Sequence, residues 1–263
     1  MRILITGATA GIGAASAKLL AKAGHEVIVH GRDEAKCMLV LEDIQNQGGS
    51  ARAEIADFSS LTQVRAMADR LAHQEIDIVI NNAGVWMNEA HETEDGFELT
   101  WQINHLAPFL LTKQLLPALL QRPEARVINL SSSGHFAGKI LFEDVNRRNN
   151  FNGMAAYCQS KLATVLFTQE LASRTQGSSL KTYAVDPGAV KTKLLAQTGF
   201  HPPSAKPAEE EIVGRWLDTV LDSEGQVGSG AYFKPNGKVS EPATRDEKLA
   251  AQLWSLSDAQ IAI

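Results

Sequence analysis

A doubly wound α/β fold, with helices on both faces of a mostly parallel sheet, is predicted by two features of the sequence. Short apolar runs alternate with longer amphipathic stretches, which is the rhythm of successive β-α-β units. The early runs are apolar without alternation, as in strands that are covered on both faces. Seven segments are predicted as strands: Ile3–Thr6, Glu26–His30, Ala51–Ile55, Ile76–Asn81, Arg126–Ser131, Lys181–Val185 and Gly230–Phe233.

Five segments between these strands carry helical patterns. They are Ile12–Ala23, Asp33–Gln47, Leu61–His73, Phe97–Leu120 and Met154–Thr175. Because 263 residues fit one α/β sheet and no repeat or long linker divides them, we predict a single domain over residues 1–263. Two stretches, near 135–153 and 190–210, break the rhythm. They are predicted as loop insertions that either wall a substrate site or decorate the surface.

Composition and charge exclude several classes of protein. The net charge of −5 argues against a nucleic-acid or anionic-membrane partner. No run approaches the roughly 18 apolar residues that a membrane span requires, and Met1-Arg2 leads into an apolar segment too short for an export signal. Cys37 and Cys158 are far apart in predicted helices, which favours reduced thiols. The sequence therefore predicts a soluble cytoplasmic protein without a metal site.

The first strand runs into a glycine-rich turn and a helix start. Gly7 supports the tight turn, Gly11 lets the backbone approach a ligand, and Gly13 permits close packing of helix against strand. The helix that begins near Ile12 offers unpaired amides to a pyrophosphate. Three residues separate the first two glycines, rather than the one of the commonest fingerprint. This context predicts a Rossmann-type dinucleotide-binding loop, with Thr9 as a further contact.

The end of the second predicted strand indicates which dinucleotide binds. An acidic residue at this position binds the ribose hydroxyls of NAD, whereas an arginine suits the extra phosphate of NADP. Gly31 occupies the acidic position and Arg32 follows it, while Asp33 is predicted as the N-cap of the next helix. We predict NADP(H). A solvated arginine at a helix start is the alternative for Arg32.

The third and fourth strands end in polar or small residues at the same sheet edge. Asp57, beside Phe58, accepts from an adenine amino group or else caps the next helix. After the fourth strand, Asn82 can brace loop backbone, and Ala83 and Gly84 allow close approach of a cofactor. Ligands bind outside the carboxyl ends of such strands, so these residues are predicted to converge on one crevice.

Tyr157 and Lys161 are the candidate chemical pair. A spacing of four places both side chains on one helix face. A free phenol has a pKa near ~10, and a nearby ammonium lowers that pKa, as a general acid/base requires. Alone, the pair is equally explained as two residues that share a helix.

Two further polar positions are candidates for the same site. Ser131–Ser133 place three hydroxyls at the carboxyl edge of the fifth strand, where one of them can hydrogen-bond a substrate carbonyl or form a turn. Asn104 lies in a long helical pattern that Pro108 interrupts. It either faces the cofactor and holds a water or is exposed.

Together these motifs resemble the short-chain dehydrogenase/reductase family over nearly the whole chain. The matching set is Thr6-Gly7-x-x-x-Gly11-x-Gly13, Asn81-Asn82-Ala83-Gly84, Asn104, Ser132, Tyr157-x-x-x-Lys161 and Pro187-Gly188. Within that family, Tyr157–Ala163 and the tail Leu253–Ser257 are similar to the branch of retinol dehydrogenases and WW-domain oxidoreductases.

The resemblance implies roles for the catalytic residues. Tyr157 is the proton donor in reduction or the acceptor in oxidation. Lys161 lowers its pKa and binds the nicotinamide ribose. Ser132 orients the substrate oxygen, and Asn104 holds a water behind Lys161. Cys158 is given no catalytic role.

The resemblance also implies the rest of the cofactor site and the activity. Pro187 and Gly188 wrap the nicotinamide, with Val190 and Thr192 as further contacts. The implied activity is hydride transfer between NADP(H) and a carbonyl or alcohol on a small to medium hydrophobic molecule. The alternatives are an NAD-dependent alcohol dehydrogenase and a non-catalytic dinucleotide sensor, which would be expected to lose Tyr157 or Lys161. Relatives often pair through the Tyr157 helix, so a homo-oligomer is predicted as an alternative to a monomer.

Overall fold

The computed structural model describes residues 1–200, 202–207, 210–221 and 227–262. Ten strands occur within these ranges: Arg2–Ile5 (β1), Glu26–Gly31 (β2), Ser50–Ile55 (β3), Ile78–Asn81 (β4), Arg126–Leu130 (β5), Lys181–Val185 (β6), Val190–Lys191 (β7), Lys206–Pro207 (β8), Ala231–Phe233 (β9) and Val239–Ser240 (β10). Eight of them form one sheet in the order β10-β9-β6-β5-β4-β1-β2-β3, and β7 pairs with β8. Every pairing in the main sheet is parallel except that of β10 with β9.

Nine α-helices occur in the same described ranges. They are Gly11–Lys22 (α1), Glu34–Asn46 (α2), Leu61–Leu71 (α3), Leu99–Trp101 (α4), Ala107–Leu119 (α5), Gly153–Arg174 (α6), Lys193–Gln197 (α7), Glu210–Leu221 (α8) and Glu247–Ile261 (α9). Between α4 and α5, Gln102–Leu106 have π-helical geometry. Short 3₁₀ turns cover Ser133–Ala137 and Phe142–Asp144.

Two apolar clusters lie on opposite faces of the sheet and confirm the doubly wound fold. One side joins alternate strand residues such as Leu4 to α3, α5, α6 and α9. The other joins Ile3 and Ile5 to α1, α2 and α8, with Trp216 buried among them. Successive strand residues point to opposite faces. The apolar runs without alternation are therefore explained by burial on both sides.

The predicted element boundaries agree with the structure to within a few residues, but some elements were not foreseen. Sequence reasoning predicted neither α9, which begins after the capping carboxylate of Asp246, nor the short edge strand β10. The predicted helix Phe97–Leu120 is divided by its π-helical turn. Within the predicted 190–210 insertion, residues 201, 208 and 209 lie outside the described residues, and the rest forms β7, α7 and β8.

The buried imidazole of His30 connects three segments of the chain through hydrogen bonds and ring packing. Its Nδ1 accepts from the backbone N–H of Gly7 at 3.2 Å, and its Nε2 donates to the carbonyl of Ala56 at 3.1 Å. These partners require a neutral ring protonated on Nε2. The ring also stacks on Phe58 with 4.4 Å between centroids. His30 thus joins the glycine-rich turn after β1 to the segment that follows β3.

A second tertiary anchor is an aromatic cluster around Phe109. This ring is 1% exposed on α5. Edge contacts join it to Phe167 of α6 at 5.4 Å and to Trp254 of α9 at 4.9 Å. Such rings bury large apolar areas, so the cluster holds the C-terminal helix α9 against α5 and α6.

We expect His30 to make folding stability depend on pH. Burial lowers its pKa to about 4, so the folded state holds the neutral ring. This contribution is fully present above pH ~6.5 and is lost as pH falls toward 4, by about 3 kcal/mol in all. Denaturant unfolding of the wild type should therefore lose about 3 kcal/mol more than His30→Gln over this range. Parallel curves for the two proteins would contradict the assignment.

We expect Phe109→Ala to lower the free energy of unfolding by roughly 3–5 kcal/mol, because it leaves a cavity among three helices. Chemical denaturation monitored by circular dichroism measures this change. Leu39→Ala on α2 is the control, since Leu39 is 63% exposed and its truncation should cost less than about 0.5 kcal/mol. Equal losses in the two variants would show that Phe109 is not a packing anchor.

Candidate active site

The glycine-rich turn after β1 is packed so closely that a side chain does not fit at its glycines. Gly7 and Gly11 have φ of +64° and +56°, a region that side chains disfavour. A Cβ on Gly7 would lie 2.8 Å from the Cα of Ala83, and one on Gly13 would lie 2.5 Å from the carbonyl oxygen of Gly7. Any side chain at these positions would displace the turn or the start of α1 at Gly11. This close-packed cradle fits a dinucleotide pyrophosphate.

The end of β4 braces this turn as predicted. The side-chain amide of Asn82 donates to the carbonyls of Thr6 and Gly7 at 2.7 and 3.1 Å. In return, the hydroxyl of Thr6 accepts from the backbone N–H groups of Asn82 and Ala83, each at 3.0 Å. Gly84 follows, and a Cβ on it would lie 3.7 Å from Nζ of Lys161. The ends of β1 and β4 therefore meet in one crevice that also contains the lysine.

At the end of β2, the cation of Arg32 follows Gly31, a position where no side chain fits. A Cβ on Gly31 would lie 2.4 Å from Cγ2 of Thr9 and 2.9 Å from Sγ of Cys37. An acidic side chain at this position would require both neighbours to move. The side chain of Arg32 is 70% exposed, with its Nη1 4.0 Å from a carboxylate oxygen of Asp57. Asp33 caps α2 by accepting from the N–H of Lys36, as predicted.

The structure restricts what Asp57 and Phe58 can offer a cofactor. A carboxylate oxygen of Asp57 accepts from the N–H of Ser59 at 2.9 Å, which forms a local turn. The helix cap expected as its alternative role is not made, because Ser60 precedes α3 and Asp95 accepts from the N–H of Leu61. Phe58 is buried against His30, so its ring faces the core, and its backbone carbonyl accepts from the side-chain amide of Gln102 at 3.2 Å.

Helix α6 places the chemical pair as the spacing predicted. Asn152 caps the helix by accepting from the N–H of Ala155 at 2.9 Å. Nζ of Lys161 lies 5.5 Å from the centroid of the Tyr157 ring and donates to the carbonyl of Leu130 at 2.8 Å. The hydroxyl of Ser132 lies beside the phenol, since a Cβ on Gly134 would be 3.6 Å from its Oγ and 3.5 Å from Cε1 of Tyr157. Tyrosine, lysine and serine therefore form one constellation at the carboxyl end of β5.

The expectation that Lys161 lowers the pKa of Tyr157 is wrong: the protein groups around the phenol raise this pKa. Burial raises the pKa of its phenol to about 12, and the negative charge of Asp186 adds to that rise, while the Ser132 hydrogen bond opposes it. Burial also lowers the pKa of Lys161 to about 8. The rise in the pKa of Tyr157 comes mainly from desolvation, which the spacing of two residues along a helix does not reveal.

Ser132 differs from Ser131 and Ser133 in the direction in which its hydroxyl points. Ser131 is buried and donates to the backbone carbonyl of Lys161 at 3.0 Å, so it is structural. Ser133 is exposed. Only Ser132 turns its hydroxyl toward the phenol, and it also accepts from the N–H of Gly134 at 3.1 Å.

Asn104 sits in the π-helical turn and lies next to the lysine. Its Oδ1 accepts from the N–H of Val85 at 2.8 Å, and its Nδ2 donates to the carbonyl of Val85 and to Ser160 at 3.0 Å each. Both amide protons are used, so the side chain keeps at most one lone pair for a water. These hydrogen bonds hold the loop after β4 against α6.

The segment after β6 closes the other side of the crevice. Gly188 has φ of +80° after Pro187, and Val190 is buried in β7. Thr192 caps α7 by accepting from the N–H of Leu195, and its Cγ2 lies 3.0 Å from where a Cβ on Gly11 would stand. The predicted nicotinamide contacts are therefore next to the glycine-rich turn.

Sequence reasoning gave no role in the chemistry to three residues around the phenol. The ring of Trp86 lies 5.1 Å from the Tyr157 ring. His135 is buried, with Nδ1 2.6 Å from the carbonyl of Ser132. Asp186 is 6% exposed directly before Pro187. An acid beside Pro-Gly at a strand end was the available signal for Asp186, whereas His135 was expected only as the start of the insertion near 135–153.

Two further features concern the residues that the structure covers. No group of three or more His, Cys, Asp or Glu side chains there is arranged to hold a metal ion. No helix in the same part of the chain has the length and apolar character to cross a membrane.

Comparison with known proteins identifies the family. Residues 1–201 match the family model for short chain dehydrogenase. Retinol dehydrogenase 13 of Mus musculus is 38% identical over 97% of this chain and 82% of its own length. The solved structure of an uncharacterised protein from Mycobacterium Paratuberculosis has a TM-score of 0.79 at 33% identity, covering 99% of this chain and 93% of that one.

A solved short chain dehydrogenase from Shigella flexneri, complexed with NADP, has a TM-score of 0.71 at 27% identity, covering 89% of this chain and 96% of its own. The sequence motifs, the parallel sheet and the clustered Ser, Tyr and Lys residues agree with these matches. The chain therefore belongs to the short-chain dehydrogenase/reductase family, on its retinol dehydrogenase branch.

Proposed function

We propose that this oxidoreductase uses NADP(H) to interconvert a carbonyl and an alcohol on a hydrophobic molecule. The observation that carries the proposal is that the Ser132 hydroxyl lies beside the Tyr157 ring, whose centroid is 5.5 Å from the buried ammonium of Lys161. Two O–H groups that converge on one point can bind a single substrate oxygen. A proton donor is thereby placed where a carbonyl oxygen would accept.

In reduction, the Ser132 hydroxyl hydrogen-bonds the substrate oxygen and the Tyr157 phenol donates its proton to that oxygen. The bound nicotinamide supplies the hydride to the carbonyl carbon, and in oxidation it accepts one. Lys161 holds positive charge beside the phenolate that proton donation leaves, and solvent returns the proton. Oxidation runs the same proton path in reverse, so it needs Tyr157 deprotonated. The raised pKa of Tyr157 keeps the proton in place for reduction at neutral pH.

The preference for NADP(H) rests on the edge of β2. The exposed guanidinium of Arg32 offers a planar fork that suits a phosphate. An acidic side chain at position 31 would bind the ribose of NAD, but there is no space for one unless Thr9 and Cys37 move. The Shigella flexneri dehydrogenase in complex with NADP adds support.

The hydrophobic substrate is proposed from the side chains around the phenol. The ring of Trp86 packs near Tyr157, and Met154 lies one helical turn before Tyr157 with 53% exposure. Phe136, 56% exposed, lies in the 3₁₀ turn that Ser132 precedes. Large apolar side chains left in solvent beside a site are favourable contacts for an apolar ligand.

Two alternatives make different predictions. An NAD-dependent alcohol dehydrogenase would turn over equally well without Arg32. A non-catalytic dinucleotide sensor would bind cofactor but show no turnover, although it has no reason to keep both Tyr157 and Lys161. The homo-oligomer and the cytoplasmic location stay predictions.

We expect Tyr157→Phe to lower kcat for reduction of a hydrophobic aldehyde by about 10²-fold or more, because the proton donor is lost. Cofactor oxidation followed by absorbance measures kcat, and NADPH binding by fluorescence should change little. Tyr183→Phe is the matched control, since Tyr183 is buried on β6 and its hydroxyl donates to the carbonyl of Val227 at 3.4 Å. Turnover that survives in Tyr157→Phe would contradict the acid/base role.

We expect Arg32→Ala to weaken NADPH binding by about tenfold or more, the range of a lost charge-assisted hydrogen bond. Affinity for NADH should stay within about twofold. Calorimetric titration of both dinucleotides measures the difference. Arg245→Ala is the control, because Arg245 pairs with Glu241 near the start of α9. Unchanged NADPH affinity in Arg32→Ala would remove the phosphate assignment.

A further inference from the structure

His135 is fully buried in the short 3₁₀ turn that Ser132 precedes, and both nitrogens of its ring have partners. Nδ1 lies 2.6 Å from the carbonyl oxygen of Ser132, and Nε2 accepts from the backbone N–H of Ala243 at 3.2 Å. A carbonyl oxygen only accepts, so Nδ1 carries a proton, and Nε2 carries none because its partner donates. These contacts define a neutral ring in a single tautomer.

The backbone and the hydroxyl of Ser132 are both held from this turn. The carbonyl of Ser132 accepts from the backbone N–H of His135 at 3.0 Å as well as from Nδ1. The hydroxyl of Ser132 accepts from the N–H of Gly134 at 3.1 Å, which leaves its own proton for a partner in the crevice. A hydroxyl held in this way can donate to a substrate oxygen.

The other side of the ring is supported by residues 241–246, the connector between β10 and α9. Ala243 donates to Nε2, and the carbonyl of the next residue, Thr244, accepts from the side-chain amide of Gln169 on α6 at 2.9 Å. At the end of the connector, Asp246 caps α9 by accepting from two backbone N–H groups. The connector is therefore fixed to two helices and gives His135 a rigid support.

Aromatic rings enclose the imidazole, but packing alone does not explain a histidine here. The ring of Tyr232 on β9 lies 4.7 Å from it, and that of Phe136 lies 4.0 Å away, between centroids. An imidazole carries a donor and an acceptor on opposite sides of one rigid ring, whereas a phenyl ring of similar size carries neither. Only the hydrogen bonds to Ser132 and Ala243 use that difference.

We propose that His135 is a positioning residue of this active site: its imidazole holds the carbonyl of Ser132 against the 241–246 connector, so that the serine hydroxyl faces a substrate oxygen beside Tyr157. The residue acts through Ser132, since both of its nitrogens are occupied by backbone groups. The inference rests on the proposed function for its kinetic consequence, whereas its hydrogen bonds can be measured without turnover.

Three substitutions separate the two hydrogen bonds from the packing. His135→Asn keeps an N–H near the position of Nδ1, His135→Gln keeps an acceptor near that of Nε2, and His135→Phe keeps only a ring. We expect kcat/KM for a hydrophobic aldehyde to fall by about tenfold in His135→Gln and His135→Phe, the effect of one lost hydrogen bond. In His135→Asn it should fall by less than about threefold, because the donor to Ser132 is retained. Equal losses in His135→Asn and His135→Gln would overturn the proposal.

A double-mutant cycle shows whether His135 acts through the serine. In a Ser132→Ala background, adding His135→Gln should lower kcat/KM by less than about twofold, because the hydroxyl to be positioned is already gone. An undiminished tenfold loss in that background would contradict the proposal. His73→Gln is the matched control, since it changes an exposed histidine after α3 and should leave kcat/KM at the wild-type value. NADPH affinity should be unchanged in all of these variants.

An NMR measurement tests the bridge without turnover. In protein labelled with ¹⁵N-histidine, His135 should show the Nδ1-protonated tautomer, whereas His30, whose Nε2 donates to a carbonyl, should show the opposite one. The two rings are assigned by their loss in His135→Phe and His30→Gln. Exchange of the Ala243 amide hydrogen should speed up by about tenfold or more in His135→Phe and change less in His135→Gln.

The outcomes for the bridge and for the proposed function are distinct. An Nε2-protonated His135, or an Ala243 amide with unchanged exchange in His135→Phe, would overturn the proposal. If His135→Phe does not fold, faster exchange in His135→Asn than in His135→Gln is the result expected. A wild type without turnover on any aldehyde or ketone would contradict the proposed function, while the tautomer and the amide exchange would still decide whether His135 holds Ser132 against the connector.

Discussion

The hydrogen bond from the ammonium of Lys161 to the carbonyl of Leu130 is the contact on which the site depends. It anchors α6 to the last residue of β5, and both ends are buried. A buried ammonium is costly unless it is paired, so this contact fixes where the helix can sit along the strand. Tyr157 on the helix and Ser132 just after the strand are then brought together. The relative positions of the three groups therefore depend on the hydrogen bond that pairs the Lys161 ammonium with the carbonyl of Leu130.

The fold and the backbone of the site were predictable because their signals are local. Positive φ at Gly7 and Gly11, the Asn82 brace and the Tyr157–Lys161 spacing each belong to a short stretch of chain. Apolar runs revealed the sheet because both of its faces are covered. The π-helical turn and α9 carried weaker local signals.

What sequence could not supply was the environment of each group. Spacing placed an ammonium near the phenol, but the pKa of Tyr157 is governed by burial and by Asp186, which is 29 residues further along the chain. The ring of Phe58 faces the core because His30 stacks on it. Desolvation depends on everything packed around a group, so its magnitude appears only when distant segments have been assembled.

The π-helical turn at Gln102–Leu106 has a consequence for how this chain can change. A π turn holds one residue more than an α turn, and each residue of an α-helix advances the face by about 100°. Loss of one residue within it would restore regular α geometry and leave the two flanking segments facing as before, because one full turn would still be completed. The residues inside the turn would shift around the helix axis, so Asn104 would lose its hydrogen bond to Ser160 while Phe109 kept its ring contacts. Sequence length in this turn is therefore as constrained as the identity of the residues, and related chains should differ here by substitution rather than by deletion.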